Sequence, residues 1–297
     1  MDQADKLRVM TRANVADSAP TEQWGGDGNY PKLISFASGK GGVGKTNIVA
    51  NLGYCLSKQG KKVLLFDCDL GLGNLDILLG IASRQTLEHL LSGMVSANEI
   101  MCEGPGGMKI LPAASGVQKL SQIDKNQQMM ISGELDDFIK DFDYVLLDIG
   151  AGINTNVTYF CTMSNETIVI ATPEPTSITD AYALMKVLYK DYNQNRFKLI
   201  VNMVNTPQES KLVYKQISMV VDKFLDNISL DYLGYVLNDE NVRKCVKQQK
   251  LIGELFPYSK ASRCYTDLAG IISENKEKVA VGAGVGGFFR NFLENNV

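Results

Sequence analysis

A doubly wound, mostly parallel α/β sheet flanked by helices is the fold this sequence predicts, and three observations carry the expectation. Short apolar runs recur along the chain: KLISFA (32–37), KVLLFD (62–67), MKILPA (108–113), YVLLD (144–148), TIVIAT (167–172), KLIVNMV (198–204) and YLGYVL (232–237). Each is apolar on both faces, as a strand must be when helices cover it above and below. Longer helical patterns separate them, over 45–58, 127–140, 176–191 and 208–225. That βα rhythm, with no internal repeat and no second domain, describes one sheet wound in two directions.

The ends stand apart from this body, which runs from 32 to 278. Residues 1–12 read as a short helix with Gln3, Leu7 and Met10 on one face, and residues 13–31, rich in Gly, Pro, Ser and Asp, as a flexible linker. Residues 279–297 hold a glycine spacer, GAGVGG, and then Phe288, Phe289, Phe292 and Leu293 opposite Arg290, Asn291, Glu294 and Asn295. This is an amphipathic helix too short to span a bilayer and suited to its interface. The same pattern would serve a terminal helix packed on the protein's own body.

Composition narrows the class. The chain has 297 residues, 45% hydrophobic and 21% charged, as a globular protein with a substantial core should. A net charge of −3 gives no general attraction to phosphate backbones, so nucleic acid is not an expected partner. Cys55, Cys68, Cys102, Cys161, Cys245 and Cys264 form no CxxC pair and fall mostly in apolar runs. They read as reduced, buried thiols, against a disulfide framework, a zinc site or a bridged iron–sulfur cluster. The N-terminus lacks an apolar signal core, and no run approaches the roughly 20 apolar residues of a spanning helix. The expected location is the cytoplasm, with reversible attachment to the inner face of the cell membrane through the tail.

The strongest chemical signal is SGKGGVGKTN (38–47), directly after the first strand and opening a helix. It satisfies the spacing GxxxxGK followed by Ser or Thr at Gly39, Gly44, Lys45 and Thr46. Glycines here let the backbone N–H groups of Gly39, Lys40, Gly41, Gly42, Val43, Gly44, Lys45, Thr46 and Asn47 wrap an anion, and the helix N-terminus adds its positive end. Lys45 should reach the terminal phosphates of a nucleotide, and the Thr46 hydroxyl should ligate Mg2+. YVLLDIGAGI (144–153) adds four apolar residues followed by Asp148, which would hold Mg2+ through water.

Lys40 makes KGGVGKT a deviant form of the loop, and with it the chain resembles the MinD/ParA group of dimeric ATPases. The resemblance implies ATP and ADP as ligands and a homodimer closed around ATP, with Lys40 reaching the partner's phosphates. It also makes KVLLFDCDLGLGNLDILLG (62–80) a first switch segment. There Asp69 positions the attacking water and Asp67 stands near the magnesium shell, so that Asp69, Lys40 and Lys45 form the catalytic set. The resemblance makes Gly150, Ala151 and Gly152 a mobile second switch that senses the last phosphate. There the family usually carries Ser-Pro where this chain has Ile149-Gly150. Asn202 matches an asparagine that reads adenine, and Leu237 and Asp239 occupy the place of a second base-contacting loop. A strand-end asparagine that satisfies nearby backbone groups is the alternative reading of Asn202.

The N-terminal DQADKLR matches the DQAxxLR signature of the FlhG branch (also FleN or YlxH) of these ATPases, which controls flagellar number or placement. The resemblance covers essentially the whole chain. It implies that Gln3 enters the active site of a signal-recognition-type GTPase, FlhF, while Asp2, Leu7 and Arg8 dock the helix, which orders on binding. It further implies flagellar switch proteins or a flagellar transcription activator as partners, and membrane attachment through Phe288, Phe289, Phe292 and Leu293. Two rivals share the same machinery: a ParA-type DNA-segregation ATPase, and an antagonist of a flagellar transcription activator that uses hydrolysis only to control its binding surface.

Overall fold

β1 (Lys32–Ser38) is buried along its whole length and splits the core in two. Leu33 and Ala37 face one hydrophobic cluster, and Ile34 and Phe36 the other. A strand that alternates between two apolar layers has helices on both sides. The computed structural model describes residues 30–69, 73–81, 85, 89–90, 92, 94–112 and 125–274. The helix expected at 1–12, the linker up to residue 29 and the tail at 279–297 lie outside the described residues.

Seven further strands complete one sheet: β2 (Val63–Cys68), β3 (Cys102–Glu103), β4 (Lys109–Leu111), β5 (Tyr144–Ala151), β6 (Glu166–Ala171), β7 (Arg196–Val204) and β8 (Ser229–Leu237). Their order is β3-β4-β2-β5-β1-β6-β7-β8, and every pairing is parallel except β3 with β4. The doubly wound class expected from the sequence is therefore the one observed. β3 is too short to leave a periodic signal, and it reverses through the Pro105–Gly107 turn, where Gly106 and Gly107 take positive φ.

The helices divide between the two faces. α1 (Lys45–Lys58) buries Ile48, Val49, Leu52 and Leu56 in the second cluster. After the short α2 (Leu75–Leu79) and α3 (Ala97–Ile100), α4 (Lys125–Ile139), α5 (Thr155–Met163), α6 (Pro175–Tyr192) and α7 (Pro207–Phe224) contribute to the first. α8 (Glu240–Lys247), α9 (Ile252–Leu255) and α10 (Lys260–Glu274) return to the α1 side. Pro175 and Pro207 each stand at the first helical position, where a missing N–H costs nothing. Cys55, Cys68, Cys161, Cys245 and Cys264 are buried free thiols, and Cys102 is half-buried. No described helix is long and apolar enough to cross a membrane.

Candidate active site

The sheet order reverses around β1, so the loop that follows it opens into the crevice at the strands' C-terminal ends, where doubly wound folds bind ligands. Gly42 and Gly44 have φ of 81° and 85°, a left-handed backbone that L side chains rarely adopt. Gly39 is required for a different reason. A Cβ there would lie 2.1 Å from the Asp180 carbonyl oxygen, so the loop lies directly against α6. α1 begins with Gly44 as its N-cap, no capping side chain and no acid in its first turn. Its N–H groups are thus left to face an anion.

Lys45, the first residue of α1, donates to Asp148 Oδ1 at 2.6 Å. Asp148 lies in β5, in register with Asp67 on β2. Both carboxylates fall on the α1 face, since their strand neighbours Leu65 and Leu146 pack in that cluster. Burial raises the Asp67 carboxyl to about 6, and the charge of Asp148 adds to this. The backbone N–H groups of Leu75, Asp69 and Asn74, all donating to Asp67, pull it the other way. Two buried carboxylates thus stand opposite each other across the strand pair, and the Lys45 ammonium is bonded to Asp148. That surplus of negative charge fits a divalent cation, which the Thr46 hydroxyl, in the first turn of α1, would help to hold. No described cluster of three or more His, Cys, Asp or Glu side chains could hold a metal by itself.

The switch segments meet at this corner. Asp69 Oδ1 lies 3.5 Å from where a Gly150 Cβ would stand, so the two expected switches touch. Ala151 pairs with Ser38 in the sheet, and Gly152 N donates to Ser38 O at 2.9 Å, which joins the second switch to the base of the loop. Asn202 is buried at the end of β7 and donates its side-chain N–H to Val43 O at 2.7 Å. Leu237 pairs with Val204 at the adjacent strand end. The Asp239 carboxylate accepts from Asn241 N and Ala261 N, capping α8 and tying it to α10.

The structure thus gathers residues 39–47, Asp67, Asp69, Asp148, Gly150–Gly152 and Asn202 at one edge of the sheet, with Leu237 and Asp239 on its flank. Asp2, Gln3, Leu7, Arg8, Phe288, Phe289, Phe292 and Leu293 lie outside the described residues. Two residues that the sequence reading missed also belong here. Lys40 donates to Glu174 at 2.8 Å and to Thr176 Oγ1 at 3.0 Å, at the start of α6. Pro175 signals a helix start at that point, but only the fold sets it beside the loop.

A glycine-rich anion cradle at a helix N-terminus, a buried lysine and paired carboxylates at the strand ends define a P-loop nucleoside-triphosphate hydrolase. A family model described as "AAA domain" matches residues 31–201. The chain is 40% identical over 238 residues to antiactivator FleN of Pseudomonas aeruginosa, covering 80% of this chain and 85% of that one. It is 34% identical over 266 residues to flagellum site-determining protein YlxH of Helicobacter pylori, covering 89% and 90%. Among solved structures it resembles the MinC:MinD cell division complex of Aquifex aeolicus, with a TM-score of 0.63, 28% identity and coverage of 82% and 96%. MinD of Pyrococcus horikoshii with Mg-ADP shares the fold, with a TM-score of 0.65, 24% identity and coverage of 84% and 99%. The chain belongs to the MinD/ParA family of ATPases, in its FleN/YlxH (FlhG) branch, and is an ATPase.

Proposed function

We propose that this ATPase is a dimerisation and membrane switch that regulates flagellar number or placement. The observation that carries the proposal is its likeness, over most of the chain, to FleN and YlxH. The site supports the engine. Backbone N–H groups of residues 39–47 hold the phosphates, and Lys45 exchanges Asp148 for a phosphate oxygen. Asp69 orients the attacking water, and Gly150–Gly152 respond to the last phosphate. When bound, Mg2+ neutralises phosphate charge; Thr46 and Asp148 would hold it, with Asp67 nearby. Asn202, Leu237 and the loop held by Asp239 would line the adenine base.

Lys40 leaves Glu174 to reach the phosphates of a second copy, so ATP favours the dimer by contacts that the monomer lacks. Two tails then anchor where one is marginal, through Phe288, Phe289, Phe292 and Leu293. The DQADKLR segment stimulates an FlhF-type GTPase, with Gln3 at that partner's active site and Asp2, Leu7 and Arg8 as docking contacts. Gln3→Ala is expected to abolish stimulation of FlhF and spare this protein's own ATPase; undiminished stimulation would refute the assignment. Asp69→Ala should trap an ATP dimer that sediments with lipid.

A second reading has its own support, because FleN is named an antiactivator. In that reading the nucleotide-controlled surface binds a flagellar transcription activator. Pull-down of such an activator with and without ATP, using the tail-deleted chain, separates this output from the membrane role.

A further inference from the structure

The chain as a whole carries a charge of −3, yet α8 and the turn after it hold Arg243, Lys244, Lys247 and Lys250 against one acid, Glu240, flanked by the buried Asp239 and by Glu254 of α9. All four cations are exposed, and none makes an ion pair among the described residues. Lys244 donates to Asn241 Oδ1 at 3.2 Å. Glu254 is turned toward the backbone, where it accepts from Leu251 N at 3.0 Å. Arg243 and Lys247 are one helical turn apart on the same face. Lys250 follows shortly after α8, where the chain reverses at Gln249, with φ of 55°, and Lys250 N bonds back to Cys245 O.

Apolar surface adjoins these charges. Val246 is 38% exposed in the same turn, and Ile77 of α2 is 61% exposed. Gln249 Nε2 donates to Ile77 O at 2.9 Å, which joins α2 to the end of α8 as one surface. Helix-dipole compensation accounts for cations in the last turn of α8. It does not account for Arg243 at the N-terminal half, nor for uncovered Ile77. Cations interleaved with exposed aliphatic side chains suit an anionic lipid surface, where headgroups meet the charges and the boundary region takes the aliphatics.

We infer that the α8 face, with Arg243, Lys247 and Lys250 beside Val246 and Ile77, docks on anionic lipid headgroups. This rests on the membrane reading above and completes it, because the tail contributes only one cation, Arg290. Two weak signals together give stable attachment where one does not. Each cation near an anionic leaflet is worth about fivefold in partitioning at low salt.

The test is co-sedimentation of the full chain, with Mg2+ and a non-hydrolysable ATP analogue, on phosphatidylcholine vesicles with and without phosphatidylglycerol. The variant R243Q/K247Q/K250Q should lose about tenfold or more of its binding to phosphatidylglycerol vesicles, together with its salt dependence. It should keep wild-type binding to phosphatidylcholine alone and wild-type lipid-free ATPase. The charge-preserving R243K/K247R/K250R should bind like wild type. Equal binding and equal salt dependence of the glutamine variant would overturn the inference. So would unchanged lipid binding with lost retention of double-stranded DNA, which would make this a nucleic-acid face. If the wild type dimerises with the analogue and sediments with neither vesicle, the membrane reading itself falls; the failure then lies in the wild type, not in the variant.

Discussion

The Lys45 ammonium stands 2.6 Å from Asp148 Oδ1, with the two side chains only 9% and 2% exposed. Lys40, in the same loop, is paired with Glu174 at 2.8 Å, but those side chains are 39% and 64% exposed. One lysine is built into the fold, and the other rests on its surface.

Removing Lys45 leaves Asp148 buried without its ammonium, opposite a second buried carboxylate, Asp67. Lys45→Met should therefore destabilise the nucleotide-free protein by roughly 3 kcal/mol at pH 8, as breaking a buried pair does. The loss should shrink as pH falls toward about 6, since Asp67, raised by burial, then takes up a proton and the repulsion at Asp148 is relieved. Urea denaturation across pH in the presence of a chelator checks this; a pH-independent loss would contradict it.

Lys40→Ala should behave in the opposite way. An exposed ion pair contributes less than about 1 kcal/mol, so the melting temperature should barely move. If Lys40 reaches a second copy's phosphates as proposed, hydrolysis should fall on the order of a hundredfold or more. Calorimetry and an ATPase assay on the same preparation decide it. A variant that hydrolyses like wild type would remove Lys40 from the reaction.

At the opposite end of the sheet, Glu166 accepts from Lys32 at 2.5 Å and from Lys198 at 2.9 Å. Burial alone would raise its pKa, but the hydrogen bonds and charges of Lys198 and Lys32 outweigh burial and hold it below the usual 4.5. A depressed carboxylate stabilises the fold above its unfolded-state pKa and loses that contribution as pH falls through the folded one. Glu166→Gln should cost roughly 2 kcal/mol at pH 7, and wild type and variant should converge below about pH 4. Denaturation midpoints that stay parallel down to acid pH would refute this.

Two glycines of the loop should tolerate substitution differently. At Gly39 a Cβ would meet the Asp180 carbonyl at 2.1 Å, whereas at Gly41 the nearest such atom is the Ala151 Cβ at 4.0 Å. Gly39→Ala should cost on the order of 1–3 kcal/mol and disrupt nucleotide binding by forcing the loop off α6. Gly41→Ala should keep wild-type stability. Urea denaturation and nucleotide titration of the pair provide the comparison.

Much of this was legible in the chain because the signals are local. The seven apolar runs contain most of the sheet, and the loop from Gly39 to Asn47 announces itself by glycine spacing. Of the elements the sequence reading did not name, β3 has two residues and α3 only four, too short for a periodic signal. By contrast, α5, α8 and the 15-residue α10 were long enough to carry one. Asn202 shows how a local reading stays divided. Its strand-end position fits both base recognition and backbone satisfaction, and the fold supplies a backbone partner, Val43 O.

Residue type and spacing, then, determined the doubly wound class, the phosphate loop and the acids at the strand ends, since backbone freedom, periodicity and charge are properties of neighbouring residues. Which groups meet across the sheet was decided by tertiary structure alone. Strand order puts Asp67 opposite Asp148, helix packing brings Glu174 to Lys40, and the turn at Gln249 brings Lys250 N back to Cys245 O. Those contacts join residues far apart in the chain or across a backbone reversal. Their energies depend on burial and distance, which only the folded chain fixes.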